Sequence, residues 1–308
     1  MYFHCANHKL NLVIVDSVKG VMPVADFFVT LQFAYNFLCG SNVHSRWVDF
    51  QKKMGLKPIE FKRLSDTRWS AQVRAVAAVK LRFAEFVDFL RSIILNDENR
   101  ERAGSAKSIL SEINQAFLYI MLVMYDLLSE TKKASDVLQD PKIDFVKASN
   151  YIEAIVEEIA SYRNDAKASD YYQKSFEMAE GSDVPRCRES RRQSSLTDRF
   201  QDFVVYSTVG SRENPTTSDD MKRLILFPIL DKLSCEFNER FNSSNMDIMR
   251  SLSALDPRSN NFLNVDEIRP FAEHYEIDME GLSIEMRHAK RMVDRNEVRL
   301  NNILDRTS

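Results

Sequence analysis

Two pairs of nitrogen and sulfur side chains have spacings that could hold a metal. Cys5-x2-His8 has the spacing of half a zinc site, and Cys39-x4-His44 could supply the other half. The pairs fall on separate predicted helices, however, and Cys39 lies on an apolar stripe. The expectation is therefore Cys5 and His8 packed on one helix face, with no bound metal. The stretch Asp256 to Glu267 has the twelve-residue length of a calcium loop and ends in the required glutamate. Its third position is Arg258 and its sixth is Asn261 in place of glycine, and a cation at a ligand position defeats calcium binding. Hydrolytic chemistry has no better footing. The five histidines lack a nucleophile context, and no G-x-S-x-G elbow or phosphate-cradling glycine loop occurs in a chain with 7 glycines.

The remaining chemistry is electrostatic. Between Arg46 and Arg82 there are ten Lys/Arg against three Asp/Glu, a net charge of +7, although the whole chain carries −3. Residues 1–45 balance to zero, so 83–308 carries −10. Both tryptophans, Trp47 and Trp69, lie inside the basic stretch. Cations interleaved with flat rings suit a nucleic acid, the cations meeting phosphates and the rings stacking on unpaired bases. A solvated helix face with two core tryptophans gives the same composition, so both readings stand at this level.

These residues must be positioned by helices. The 308 residues include 7 glycines and 8 prolines, about 5% together against roughly 12% in average usage. Residues that make turns and sheet corners are thus scarce, which favours long helices and an all-α fold without a substantial sheet. Apolar spacing predicts helix from Leu10 to Leu38 with a break or fresh start at Pro23, and Phe27, Phe28, Leu31, Phe33, Ala34, Phe37 and Leu38 on one face. A loop follows through Gly55 and Pro58. Ser65-Asp66-Thr67 offers caps for a helix from about Arg68 to Leu95, carrying Arg68, Arg74 and Arg82 outward. Ser105 or Ser108 can start the next, with Ile109, Ile113, Phe117, Ile120, Met124 and Leu128 on a stripe. Another covers about Asp144 to Arg163. Asp219 caps a helix to about Phe241, kinked or restarted at Pro228, and shorter helices continue past Asn264. The predicted division is a helical region 1–180, a basic, partly disordered linker 181–218 and a C-terminal helical region 219–308. Within the linker only Gln201–Ser207 looks strand-like, too short for a sheet.

Compartment and membrane readings come from absences. Met1 to Lys9 lacks the apolar core of a secretory signal. The longest uncharged apolar run, Ala116 to Tyr125, has ten residues, where a membrane span needs ~20. It is expected to be a buried core helix. Four cysteines at 5, 39, 187 and 235 form no disulfide framework and fit a reducing compartment.

Several blocks resemble one family. Cys5-Ala6-Asn7-His8-Lys9-Leu10-Asn11-Leu12-Val13 is similar to the C-x2-H-x-L-N-L segment of hAT-superfamily DNA transposases and their domesticated relatives, most closely the zinc-finger MYM-type and protein-kinase-inhibitor-repressor group. Four further blocks follow in that family's order. Phe27-Phe28 through Phe37 to Ser41 resembles its aromatic helix, and Leu64-Ser65-Asp66-Thr67-Arg68-Trp69-Ser70 its "sDTRWs" block. Pro185-Arg186 with Arg191-Arg192-Gln193 resembles its Arg-rich linker. Phe227-Pro228-Ile229-Leu230-Asp231 to Glu239-Arg240-Phe241 looks like its "f-P-x-L-D…E-x-x-R-F" helix.

The resemblance implies a ribonuclease H-like parent whose three metal-binding carboxylates are interrupted by a helical insertion. Two of those acids precede the C-x2-H segment, and the third lies beyond Ser308 in a block that Glu239-Arg240-Phe241 only imitates. This chain then corresponds to the helical insertion region. It is expected to be non-catalytic, with no cofactor of its own, magnesium belonging to the full-length family. In the family the Arg-Trp pair handles the DNA end, a role falling here on Arg68 and Trp69. Lys52, Lys53, Lys62, Arg63, Arg186, Arg191 and Arg192 are the expected backbone contacts. The implied partner is DNA, with self-association in the full-length family, no membrane and no small-molecule substrate. The implied location is the nucleus, with the cytoplasm as alternative. Two other readings remain at this level: an interaction scaffold built on the acidic helices of 83–308, and a truncated gene model of an active transposase.

Overall fold

The structure is a computed structural model that describes residues 6–64, 69–139, 145–186, 215 and 217–295, with backbone alone for 69–71. Among the described residues there is no strand, so the all-α expectation holds there. Gln201–Ser207 lies outside them. The helices are α1 (Ala6–Lys19), α2 (Met22–Cys39), α3 (Ser41–Lys53), α4 (Trp69–Leu81), α5 (Phe83–Asn96), α6 (Arg100–Glu112), α7 (Gln115–Leu138), α8 (Phe145–Ser161), α9 (Asp165–Gly181), α10 (Ser218–Met221), α11 (Phe227–Arg240), α12 (Ser243–Ser251), α13 (Val265–His274) and α14 (Met279–Asp294). No single helix among them is long and apolar enough to cross a membrane.

Several boundaries follow the expected punctuation. Pro23 stands in the first turn of α2, where its missing N–H leaves no bond unmade. Asn264 caps α13 by accepting from the Asp266 amide. Ahead of Pro228 the residues Lys222–Leu226 form a π-helical turn, the Phe227 amide donating to the Lys222 carbonyl. The helix is therefore re-registered at Pro228, as a proline in the ladder requires. Its start lies two residues before Asp219. Thr217 and Asp220 form a reciprocal capping box there.

Other boundaries differ from expectation. The loop predicted after Leu38 contains α3, which buries Val43, Trp47 and Gln51 at four-residue spacing. The single helix predicted from Arg68 to Leu95 is two, broken at Arg82 (φ −122°, ψ 29°). The break lets Phe83, Phe86 and Leu90 turn into the core while Leu81 is left exposed. The helix predicted to start at Ser105 or Ser108 starts instead behind Asn99, whose side chain accepts from the Arg102 amide. It ends at Glu112, and α7 leaves at 74° to it. The proposed caps Ser65, Asp66 and Thr67 lie outside the described residues.

The chain forms two compact units that are not consecutive in sequence: Ile14–Lys132 with Ile159–Leu233, and Met1–Val13 with Lys133–Glu158 and Ser234–Ser308. They cut across the expected division at 181–218, because residues 133–158 find their apolar partners beyond Leu233. In that second unit Ala148 and Ile152 of α8 pack against Met246 and Met249 of α12. Arg250 donates to Ser149 at 3.0 Å and to Glu153 at 2.6 Å beside them. A second cluster joins Ala254, Ile268 and Met286, with Leu263, Phe271 and Leu282 around it. In the first unit the core of α7 is buried throughout Phe117–Leu128 apart from Tyr125 and Asp126. The apolar run at 116–125 is thus mostly interior. Phe117 meets Phe27 of α2 at 4.8 Å between ring centres.

Scarce glycine has a visible consequence at helix ends. The α13 terminus closes as a Schellman motif, the Ile277 amide donating to the Ala272 carbonyl at 2.9 Å and the Glu276 amide to that of Glu273 at 3.3 Å. The left-handed position belongs to Glu276 (φ 54°), where an L side chain is strained. Glu276→Gly is therefore expected to stabilise the second unit by up to about 1 kcal/mol, after the extra unfolded-state entropy of glycine is deducted. Urea denaturation followed by circular dichroism would read a raised midpoint.

Candidate nucleic-acid interface

The exposed cations of the basic stretch are set in place by the way α3 ends. Lys52 and Lys53 stand in its last turn, favourably placed at the negative end of the helix dipole. The helix stops in a Schellman motif. Gly55 takes φ +73°, its amide donates to Lys52, and the Leu56 amide donates to Gln51. The chain then turns back alongside α3. Gln51, fully buried, clamps the returning strand of chain through its amide group: Nε2 donates to the Ile59 carbonyl at 3.2 Å, and Oε1 accepts from the Ile59 amide at 2.9 Å. Trp47 Nε1 donates to the same carbonyl at 3.1 Å. Both lone pairs of that carbonyl are satisfied and the segment is held on two sides.

Trp47 is therefore a core residue, 1% exposed and surrounded by Phe50, Phe61, Phe86 and Phe89 with ring centres 5.2–6.4 Å away. It cannot stack on a base. Its role is to fix the register of 59–63. Glu60 pairs with His44 at 3.3 Å, Phe61 goes inward, and Lys62 and Arg63 are exposed beside Tyr35 of α2. A cleft of about 190 Å³ lies there, lined by Tyr35, Cys39, His44, Glu60, Lys62 and Arg63 among others. The Cys39 thiol, hydrogen-bonded to the Tyr35 phenol, pushes that phenol's pKa up, with partial burial adding and the Arg63 charge opposing. Cys39, expected on the apolar face of α2, is in fact exposed.

The +7 field is smaller in space than in sequence. Arg46 is spent on Asp97, whose carboxylate also takes two bonds from Arg102. Lys80 lies over the Tyr125 ring at 3.7 Å. Arg82, expected to point outward on a continuous helix, donates to the Lys57 carbonyl at 3.2 Å and to that of Leu81. Among the described residues, those of the stretch that stay exposed are Lys52, Lys53, Lys57, Lys62, Arg63 and Arg74. Lys52 and Lys62 have only long contacts, to Asp49 at 3.9 Å and Glu60 at 3.8 Å, between exposed side chains. Such pairs hold little energy and yield readily to a polyanion.

The cations divide along α3. Lys52, Lys53 and Lys57 gather where it ends, and Lys62 and Arg63 near His44 close to its start. Seven residues of helix separate His44 from Gln51, about 10 Å, so two groups of exposed cations stand near the two ends of that stretch of α3. Arg186 stands apart, over the Phe176 ring at 5.1 Å and 3.9 Å from Glu180. Trp69 is the first residue of α4. Its side chain, together with Cys5, Arg68, Arg191 and Arg192, lies outside the described residues. His8 is exposed, where packing against its helix face was expected.

Sequence reasoning missed Gln51 and the cleft. The signal for Gln51 was present: it follows Trp47 by four residues and precedes Gly55 by four, a core position at a glycine-terminated helix end.

Of the four zinc-ligand candidates His8, Cys39 and His44 lie within the described residues. Among the described residues no group of three His, Cys, Asp or Glu could hold an ion. In the loop that resembles a calcium site, Arg258 reaches both oxygens of Asp256 at 2.9 and 3.0 Å and holds its pKa below the ordinary value. Glu239 is exposed, while Arg240 turns back onto buried Glu236. No protein-family model and no solved structure matches the chain.

Proposed function

We propose that this is a non-catalytic, transposase-derived protein that handles DNA through the exposed cations at the end of α3 and along residues 54–63. The observation that carries the reading is the exposure of Lys52 and Lys53 at the end of α3 and of Lys57, Lys62 and Arg63 on the return segment that Trp47 and Gln51 hold at Ile59. With the backbone at Ile59 already fixed, only the side chains need be ordered when these cations meet phosphates. The order of sequence blocks similar to hAT transposases supports the same reading. Their Arg-Trp pair falls on Arg68 and Trp69, a few residues after this segment in sequence, and Trp69 is the first residue of α4. No acid in the chain is assigned to catalysis.

The test is a fluorescence-anisotropy titration of duplex and hairpin-ended DNA. Four neutralised phosphates lower affinity roughly 150-fold when salt rises from about 50 to 200 mM. Replacing Lys52, Lys53, Lys62 and Arg63 by glutamine is expected to reduce the log–log salt slope by about 3.6 and to weaken both DNAs alike. Trp69→Ala should weaken the hairpin-ended DNA more than the duplex, because only unstacked bases offer a face worth ~1–3 kcal/mol. An unchanged slope in the quadruple variant would sink the reading. Absence of binding at low salt would favour the interaction-scaffold alternative.

A further inference from the structure

The second unit carries a basic surface that the charge balance of the sequence conceals. Residues 83–308 sum to −10, yet 286–295 hold Arg287, Lys290, Arg291 and Arg295 against Asp294 alone, a local charge of +3. These residues lie on α14 and its C-cap, Arg295; the helix starts behind the Asp278 cap and uses one stripe for packing. Leu282 and Met286 join the cluster of Ala254, Ile268 and Phe271. Arg287, Arg291 and Arg295 follow one another at four-residue spacing on the opposite side, and all three are exposed. Four residues advance about 6 Å along a helix and rotate it by about 40°, so the three guanidinium groups form a continuous ridge. Among the described residues no carboxylate pairs with them. Arg287 Nε donates only to the Ser283 carbonyl at 3.1 Å in its own helix. His288 and Ile284 stand beside the ridge, both exposed.

We infer that this ridge is a second phosphate-backbone contact, taking double-stranded nucleic acid along the outer face of α14. Three arginines one turn apart match a row of phosphates, and guanidinium forks bind phosphate oxygens bidentately. A convex helix with a cationic outer face also fits a groove of duplex. An anionic lipid surface would need a free apolar face beside the charges. Here the apolar stripe is already packed on α13, and Ile284 and Met292 are isolated at 44% and 47% exposure. The inference stands on α14 and its cap alone and does not depend on the cations at 52–63.

The experiment uses the full chain, a duplex of mixed sequence, and anisotropy at roughly 50 and 200 mM salt. Replacing Arg287, Arg291 and Arg295 together by glutamine is expected to weaken duplex binding at least about tenfold at the lower salt. The salt slope should fall by about 2.7, since three phosphates no longer release counterions. The matching triple lysine variant should retain the slope. Unchanged affinity and slope in the glutamine variant overturn the inference, as does an equal loss in the lysine variant, which would show a structural role. Vesicles of phosphatidylserine and phosphatidylcholine form the last arm. Binding to them as tight as to duplex, and lost in the same glutamine variant, would assign the ridge to membrane and overturn it. The quadruple glutamine variant at 52–63, measured in parallel, separates the two surfaces: loss only there leaves α14 without a role, and loss only in the α14 variant leaves 52–63 without one.

Discussion

Trp47→Ala is expected to destabilise the first unit by about 4 kcal/mol and to loosen residues 54–63 with it. A fully buried tryptophan replaced by alanine costs roughly 3–5 kcal/mol, from lost transfer energy and the cavity left behind. The surroundings here cannot collapse easily, because Phe50, Phe61, Phe86 and Phe89 press on the indole from three segments. Removal of Nε1 adds the loss of a bond to Ile59, whose carbonyl still keeps Gln51. Trp47→Phe separates the two effects: the ring packing largely survives, and about 1 kcal/mol should go with the hydrogen bond. Urea titration gives both values. Hydrogen exchange at Ile59 and Phe61 should rise in the alanine variant and change little in the phenylalanine variant. A small alanine effect would mean that the aromatic cluster is not the support on which Lys62 and Arg63 stand.

How far the residues announced this arrangement depends on where their partners lie. Pro23, Pro228 and Asn264 act through their own backbone neighbours, so their helix boundaries are legible from sequence. The third helix is not, because its inner row ends in a glutamine and its cap, Gly40, offers no side chain. Asn99 sits among Asn96, Asp97 and Glu98, a run that reads as solvated surface although it holds both a cap and a buried acid. The break at Arg82 has no glycine, proline or cap to mark it. It follows from which face Phe83 and Phe86 must turn inward, a tertiary demand. The same limit governs the basic stretch. Its net charge is legible, but Arg46, Lys80 and Arg82 are withdrawn by Asp97, Tyr125 and Lys57, and only the fold brings those groups to them. The arginine row of α14 is the reverse case: its four-residue period is written in sequence and was masked by the acids averaged around it.

Asp97→Ala is expected to cost about 2–3 kcal/mol at neutral pH, and the cost should fade in acid. The Asp97 side chain is 2% exposed and binds Arg46 of α3, Arg102 of α6 and the Asn99 amide. It thereby ties α3 to the corner between α5 and α6. Breaking a buried pair by removing one partner costs ~3–5 kcal/mol. The lower figure applies because Arg46 and Arg102 are about one-third exposed and can rehydrate. The hydrogen bond from Arg102 is the largest influence on the carboxyl. With those from Asn99 and Arg46 it outweighs burial and holds the folded pKa far below the usual carboxylate range. In the unfolded chain the group titrates near its ordinary ~3.9. The unfolded state therefore binds the proton first. The ion-pair stability is present above pH ~4 and is lost progressively as pH falls towards the depressed folded pKa. Asp231, held low by Arg163, adds in the same direction. Wild type should lose stability steeply below pH ~4, while Asp97→Ala should follow a shallower course and the two should converge. Urea midpoints at pH 7, 4 and 3 measure this. Parallel curves with a constant gap would mean that the aspartate acts through packing alone, and would remove Arg46 from its structural role and return it to the exposed basic field.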